Sequence, residues 1–249
     1  MAVVEQTVDL IGDEAFCDMM LTKVIPDDFP VDLNDDASTK IKRYGFYKMA
    51  RLQSVRFANV TSIGEGAFRS CTSLKSVEIE KCTDLGQNAF TNCGALENVH
   101  FPNVVNSATS AFSLESGIED HLKTALFEKL PYDTGYMFAR RSALEELYIP
   151  KAWTINENGL QNCSSLAKID LPSMQVARNR AFTGCVGLQV INIGPLLNTI
   201  EPYAFSGLQE GCVVNMELEE GAISGAPWGG TNIIINYGVP YSGDVPIPE

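Results

Sequence analysis

The 249-residue sequence has no stretch approaching the ~18–20 uncharged apolar residues that cross a bilayer as a helix, so no membrane insertion is expected. Its opening, MAVVEQTVDL, lacks a basic start leading into an apolar run, so with Met1 as the native start no secretory signal is expected. Basic residues are few: 18 Lys and Arg stand against 31 Asp and Glu, a net charge of −13. A phosphate backbone repels such a surface, which removes nucleic acid from the expected partners. No C-x-x-C pair occurs, and the two histidines, His100 and His121, lie away from the cysteines in the pattern, which argues against zinc. G-x-S-x-G, G-x-x-x-x-G-K-[ST] and H-E-x-x-H are all missing, and the doublet Gly64 and Gly66 lacks the third glycine of a dinucleotide fingerprint. No cofactor is therefore expected.

What is present is globular in composition, with 45% apolar and 20% charged residues. Charge is uneven. Residues 1–40 carry ten acids and two lysines, and residues 201–249 carry seven acids with no Lys or Arg, leaving 16 basic and 14 acidic residues in the middle. Solvated ends on a repetitive middle suggest a stack of repeats with polar caps.

The middle does repeat. TSIGEGAFRSCTSLKSVEIE (61–80) aligns over TDLGQNAFTNCGALENVHFP (83–102) with a period of 22. The same aromatic or apolar slot recurs at Phe46, Phe68, Phe90, Phe138, Leu160, Phe182 and Phe205. Six residues on stand Leu52, Leu74, Leu96, Leu144, Leu166 and Leu188. Nine on stand Val55, Val77, Val99, Leu147, Ile169, Ile191 and Val214, and eleven on Phe57, Ile79, Phe101, Ile149, Leu171, Ile193 and Met216. GAFRSCTSL spaces its apolar residues like one or two helical turns, and LKSVEI alternates like a short strand. Neither buries its apolar face alone, whereas stacked copies bury a continuous core, with parallel strands and right-handed crossovers. The expected fold is an α/β solenoid of about nine coils.

L-x-x-L-x-L rows such as LKSVEI, preceded by IGEGAFRSC, and the row AFTGCVGLQVINI resemble the BspA-like leucine-rich repeats of bacteria, over 41–216 and more loosely over 8–20 and 223–236. The resemblance implies a bacterial cell-surface or secreted protein of adhesion type, with no catalytic residues to carry over. With no leader or anchor visible, a cytoplasmic location stays open.

Three departures are informative. IGDEAF (11–16) opens a first coil within 1–45, and the Pro- and Asp-rich VIPDDFPVDLNDDAST after it reads as a loop. Phe112 keeps the period but has no Leu, Val and Ile partners at the repeat offsets, which resume only after Phe138, and this predicts an insertion over 113–137. There Ile118, Leu122, Ala125, Leu126 and Lys129 fall at helical spacing, so an amphipathic helix is expected. ISGAPW sets Trp228 in the slot, IIINYG is expected to close the stack as a strand within a cap over 217–240, and 241–249 reads as an extended tail. Residues 1–240 are thus expected to be one solenoid domain.

Candidate chemistry is sparse. Cys71, Cys93, Cys163 and Cys185 share one core column, where stacked side chains point in parallel, so reduced thiols fit better than disulfides. Asp27, Asp28, Asp32, Asp35 and Asp36 offer calcium hard oxygens but lack D-x-D-x-D-G spacing and read as a solvated run. Tyr148 and Trp153 near Lys151 are a possible aromatic anchor. His100 beside Glu78 has the makings of a general base, yet that position holds Arg56, Glu78, His100, Tyr148, Asp170 and Asn192 in successive coils, flanked by Ser54, Ser76, Asn98, Glu146 and Lys168. Such a varied polar ladder suits a binding face for a protein or glycan partner. The candidate binding residues are Arg56, Glu78, His100, Glu146, Tyr148, Lys168, Asp170 and Asn192. The competing reading is a structural subunit of an extracellular or virion-like assembly, in contact through its ends and the 113–137 insertion.

Overall fold

The structure, a computed structural model, describes residues 2–5, 31–35 and 39–242. The chain forms two compact units, Met1–Leu122 and Lys123–Glu249, which together hold about nine parallel coils of roughly 22 residues.

In the first unit, β1 (Ala2–Glu5), β2 (Val31–Asp35), β4 (Leu52–Phe57) and β6 (Ser76–Glu78) form one parallel sheet, and β8 (Asn98–His100) occupies the same place in the next coil. A second parallel sheet runs through β3 (Lys40–Ile41), β5 (Ser62–Ile63), β7 (Asp84–Leu85) and β9 (Asn106–Ser107). Register follows the repeat: Val55 pairs with Val77 and Arg56 with Glu78. Alternation does the rest, since Val55, Val77 and Val99 point into the core and their neighbours point out.

The 22-residue row leaves one phenylalanine per coil facing its counterpart. Phe46, Phe68, Phe90 and Phe112 stack at centroid distances of 5.0, 5.0 and 5.1 Å with interplanar angles of 7°, 5° and 8°. That spacing matches the ~4.8 Å separation of paired strands, so the backbone ladder sets the ring contact. The expected helical turns around the slot do not form, and no helix occurs among the described residues. Phe68 N–H donates to Ala89 O at 2.8 Å, across to the next coil. Cys71 N–H donates to Phe68 O at 3.1 Å and Leu74 N–H to Cys71 O at 3.1 Å, so the three-residue spacing comes from successive tight turns. Two left-handed residues four apart bracket the slot and stop a helix propagating: Tyr44 and Lys48, Gly66 and Ser70, Asn88 and Asn92.

The column cysteines are buried and form no disulfide, and each S–H donates to the slot carbonyl one coil back. Cys71 Sγ reaches Phe46 O and Cys93 Sγ reaches Phe68 O, both at 3.0 Å. In the second unit Cys163 Sγ reaches Phe138 O at 3.3 Å and Cys185 Sγ reaches Leu160 O at 2.9 Å.

The second unit pairs β10 (Thr124–Leu126) with β11 (Glu146–Tyr148), and stacks β13 (Lys168–Leu171), β15 (Val190–Ile193), β17 (Val213–Met216) and β18 (Ile234–Asn236) in one parallel sheet. β12 (Thr154–Ile155), β14 (Val176–Ala177) and β16 (Thr199–Ile200) form its second sheet.

Two expectations fail. The predicted helix is instead β10 and its flanks, and Leu122, Ala125 and Phe127 are the fully buried column residues that seemed missing. Leu122 comes ten residues after Phe112 rather than six, so the insertion is a four-residue extension. Repeat offsets of three and four residues mimic a helical period over a short window, and pairing with β11 decides the matter. Likewise Val31–Asp35, read as loop, is a strand: Val31 and Leu33 alternate with Asp32 and Asn34, and Leu33 pairs with Val55. Asp27, Asp28, Asp36 and the IGDEAF row lie outside the described residues.

Candidate functional site

In the regular coils the residues eight and ten positions after the slot point outward, forming two columns that strand pairing continues through β10 and β18. In the first unit Arg56, Glu78 and His100 are exposed, flanked by exposed Ser76 and Asn98 and half-buried Ser54. Arg56 Nε stands 3.7 Å from Glu78 Oε2, with 50% and 70% of the two side chains exposed. Glu78, the carboxylate set against His100 in the sequence, is thus in contact with Arg56.

In the second unit the same column runs Leu126, Tyr148, Asp170, Asn192, Asn215 and Asn236, and all but Asn236 are half-buried. Asn192 Nδ2 donates to Asp170 Oδ1 at 2.7 Å, Asn215 Nδ2 to Asn192 Oδ1 at 2.8 Å and Asn236 Nδ2 to Asn215 Oδ1 at 2.8 Å. Lys168 Nζ lies 2.9 Å from Asp170 Oδ2, so one carboxylate anchors both the amide chain and an ammonium. The flanking column starts with exposed Glu146 and Lys168 and then turns apolar at Val190, Val213 and Ile234, the last 49% exposed. The sequence reading missed Leu126, Asn215, Asn236 and this apolar flank. Carrying the columns through TAL, VVNM and IIN would have found them.

The chain's own C-terminal segment lies across this face. Gly238 N–H donates to Leu218 O at 2.9 Å and Val239 N–H to Met216 O at 3.1 Å. Tyr241 N–H donates to Glu217 Oε1 at 2.6 Å. A cavity of about 60 Å³ remains between Asn192, Ile193 and Asn215 on the sheet and Val239–Ser242 above them. Burial, and then the charges of Asp170 and Tyr148, push the Tyr241 phenol up to about 12, while its buried hydroxyl has no hydrogen-bond partner.

Elsewhere the candidate groups are structural in setting. Burial raises Cys82 and Cys185 to about 12, so both are thiols rather than nucleophilic thiolates at neutral pH. Trp153 is 39% exposed, and its ring meets Tyr132 edge-on at 5.9 Å. Among the described residues, no group of three or more His, Cys, Asp and Glu is placed to hold a metal ion. Asp133 is fully buried where the next coils carry Ile155 and Ala177. Burial raises it to about 6 against the pull of Gly135 N–H at 3.0 Å and Asn156 N–H at 2.9 Å, both on Oδ1, and Oδ2 has no partner. It points into the core, and Gly159 leaves the space that Oδ2 fills.

Parallel short strands, apolar inward columns and coil-to-coil turns of this length define a leucine-rich repeat solenoid. The chain belongs to the BspA-type leucine-rich repeat family: the family model, described as a BspA type leucine rich repeat region, matches residues 2–119 and 123–220 in six copies. Among solved structures it is similar to a leucine-rich repeat protein of T. pallidum, at 19% identity and TM-score 0.49, over 72% of this chain and 76% of that one. A leucine-rich cell surface protein of Faecalibacterium prausnitzii matches at 16% identity and TM-score 0.42, over 92% and 83% of the two chains. A leucine-rich repeat protein of Bacteroides ovatus matches at 18% and 0.42, over 94% and 83%. Among curated proteins, none matches the chain.

Proposed function

We propose that the chain is a non-enzymatic binding module of a bacterial cell-surface or secreted protein, holding a protein partner on its outward strand columns. One observation carries this reading. Inward columns are apolar in coil after coil, whereas the outward column changes from Arg56 to Glu78 to His100 on exposed, rigidly paired strands. A pre-ordered surface loses little conformational entropy on binding, which favours recognition of an extended partner. Both signs of charge are present on the columns, so binding should depend only moderately on salt, unlike capture of a polyanion.

The test is adhesion of protein-coated beads to arrayed surface proteins and glycans of host and neighbouring bacterial cells. Retention that disappears in an Arg56→Ala/Tyr148→Ala double variant with a nearly unchanged melting temperature supports the reading. Retention that survives the double variant and disappears when 113–121 is shortened by four residues moves the contact to the extension. There Ile118 is 38% exposed.

A further inference from the structure

The outward columns of the two units are the same repeat positions, yet Arg56, Glu78 and His100 are exposed while Asp170, Asn192 and Asn215 are half-buried, and part of the second unit's face is covered. What covers it is Gly238–Ser242, held by two backbone bonds and by Glu217 on the Tyr241 amide. The fit is incomplete. The cavity of about 60 Å³ has the size of a water site, and the Tyr241 hydroxyl is buried with no partner. A buried, unsatisfied hydroxyl is a cost of docking that a better-fitting segment would not bear.

We infer that the strand face of the second unit is a peptide-docking surface whose resident occupant is the chain's own Gly238–Ser242 segment, and that an external peptide of similar proline–tyrosine character binds there by displacing it. The inference rests on the reading of the strand columns as a binding face and adds the partner's chemistry and its gate. The segment shows the mode of recognition. The backbone gives an N–H to a carboxylate, and Tyr241 shares a cavity with Asn192 and Asn215. The apolar flank of Val190, Val213 and Ile234 continues beside it. An occupied site weakens capture by the fraction of time it stands open, so a segment docked 90–99% of the time costs about 10- to 100-fold in apparent affinity.

The test uses the full chain and a fluorescent peptide of residues 237–242, Tyr-Gly-Val-Pro-Tyr-Ser. Hydrogen exchange should show the Tyr241 amide protected in the unchanged chain and released in Glu217→Ala. The Tyr241→Ala chain, which keeps Glu217 for the incoming peptide, should then bind the peptide about ten-fold tighter or better than the unchanged chain. Adding Asn192→Ala should reverse that gain. An unprotected Tyr241 amide in the unchanged chain overturns the inference and leaves the binding face of the first unit standing. A protected amide, with no peptide uptake after release, shows instead that this strand face does not dock peptides. Uptake unaffected by Asn192→Ala places the peptide elsewhere and also overturns the inference.

Discussion

The first unit is the repeat in its regular form, and the second shows how far the same row bends. Around Phe90 the rings lie nearly parallel on both sides, at 5.0 and 5.1 Å. In the second unit Leu160 interrupts the aromatic column, and Phe182 meets Phe205 tilted by 36° at 5.6 Å. The core of the second unit also takes in Asp133 and, in the cysteine column, fully buried Arg141. On the surface the contrast reverses. The outward column of the first unit is exposed with a long ion pair, while that of the second is hydrogen-bonded from Asp170 to Asn236 and partly covered. Backbone pairing fixes the coil pitch in both units, so side chains carry the difference. A 22-residue row tolerates an acid inside where the backbone offers N–H groups, and it can spend its polar face on itself.

The largest test of this contrast is in the core. Phe90→Ala should cost about 3–5 kcal/mol in guanidinium unfolding, because a packed column cannot close around the hole. Phe182→Ala, with one tilted ring neighbour, should cost about 1 kcal/mol less. Equal losses would show that parallel stacking adds nothing beyond burial.

Asp133 gives the second effect, and its sign is opposite to that of most acids. Its folded pKa of about 6 lies above the ordinary 3.8, so the protonated form is the better folded one. Stability from this group is complete below the unfolded value and is lost as pH rises through about 6. Between pH 4.5 and 7.5 the loss is about 2 kcal/mol, at about 1.4 kcal/mol per unit. Asp133→Asn should flatten that part of the melting profile. A profile unchanged by the substitution would show that Asp133 does not titrate as a buried acid.

Smaller effects separate the two faces. Asn192→Ala breaks two bonds of the amide chain and should cost about 1 kcal/mol, since partly exposed hydrogen bonds contribute modestly. Arg56→Ala removes a half-exposed pair and should cost at most about 0.5 kcal/mol, vanishing in high salt. Melting temperatures of the two variants, measured side by side, rank the faces. An Arg56 effect as large as that of Asn192 would erase the distinction.

Most of the fold was legible because the core columns recur at a nearly constant spacing. Phe46 to Phe205, the leucine column and the alternating Val and Ile positions needed only alignment of the sequence with itself. The errors arose where local spacing was ambiguous. Leu122, Ala125 and Leu126 satisfy a helical period and a repeat period equally over a few residues, and only pairing with β11 separates them. Val31–Asp35 was hidden by its aspartates, although Val31 and Leu33 alternate as a strand requires. The site was legible as a set of columns but not as a state. Arg56, Glu78 and His100 are exposed as expected, whereas nothing in the composition of GVPYS indicates that this segment returns over Asn192 and Asn215. That contact depends on where a cap ends in space, and a one-dimensional period carries no such information.

The paired left-handed corners have a consequence for how such a chain changes over generations. In the second unit they recur at Tyr136 and Arg140, Asn158 and Asn162, Arg180 and Gly184, and Tyr203 and Gly207. Side chains branched at Cβ are the least tolerated there, and none of the described corners carries Val, Ile or Thr. Corners therefore act as reading-frame marks. A duplication or loss of one whole 22-residue word keeps every corner in phase, whereas slippage by two residues within a word puts a core phenylalanine on a bend. Lineages carrying this fold should differ in coil number far more readily than in coil length, and extra residues should collect between corners, as they do at 113–121.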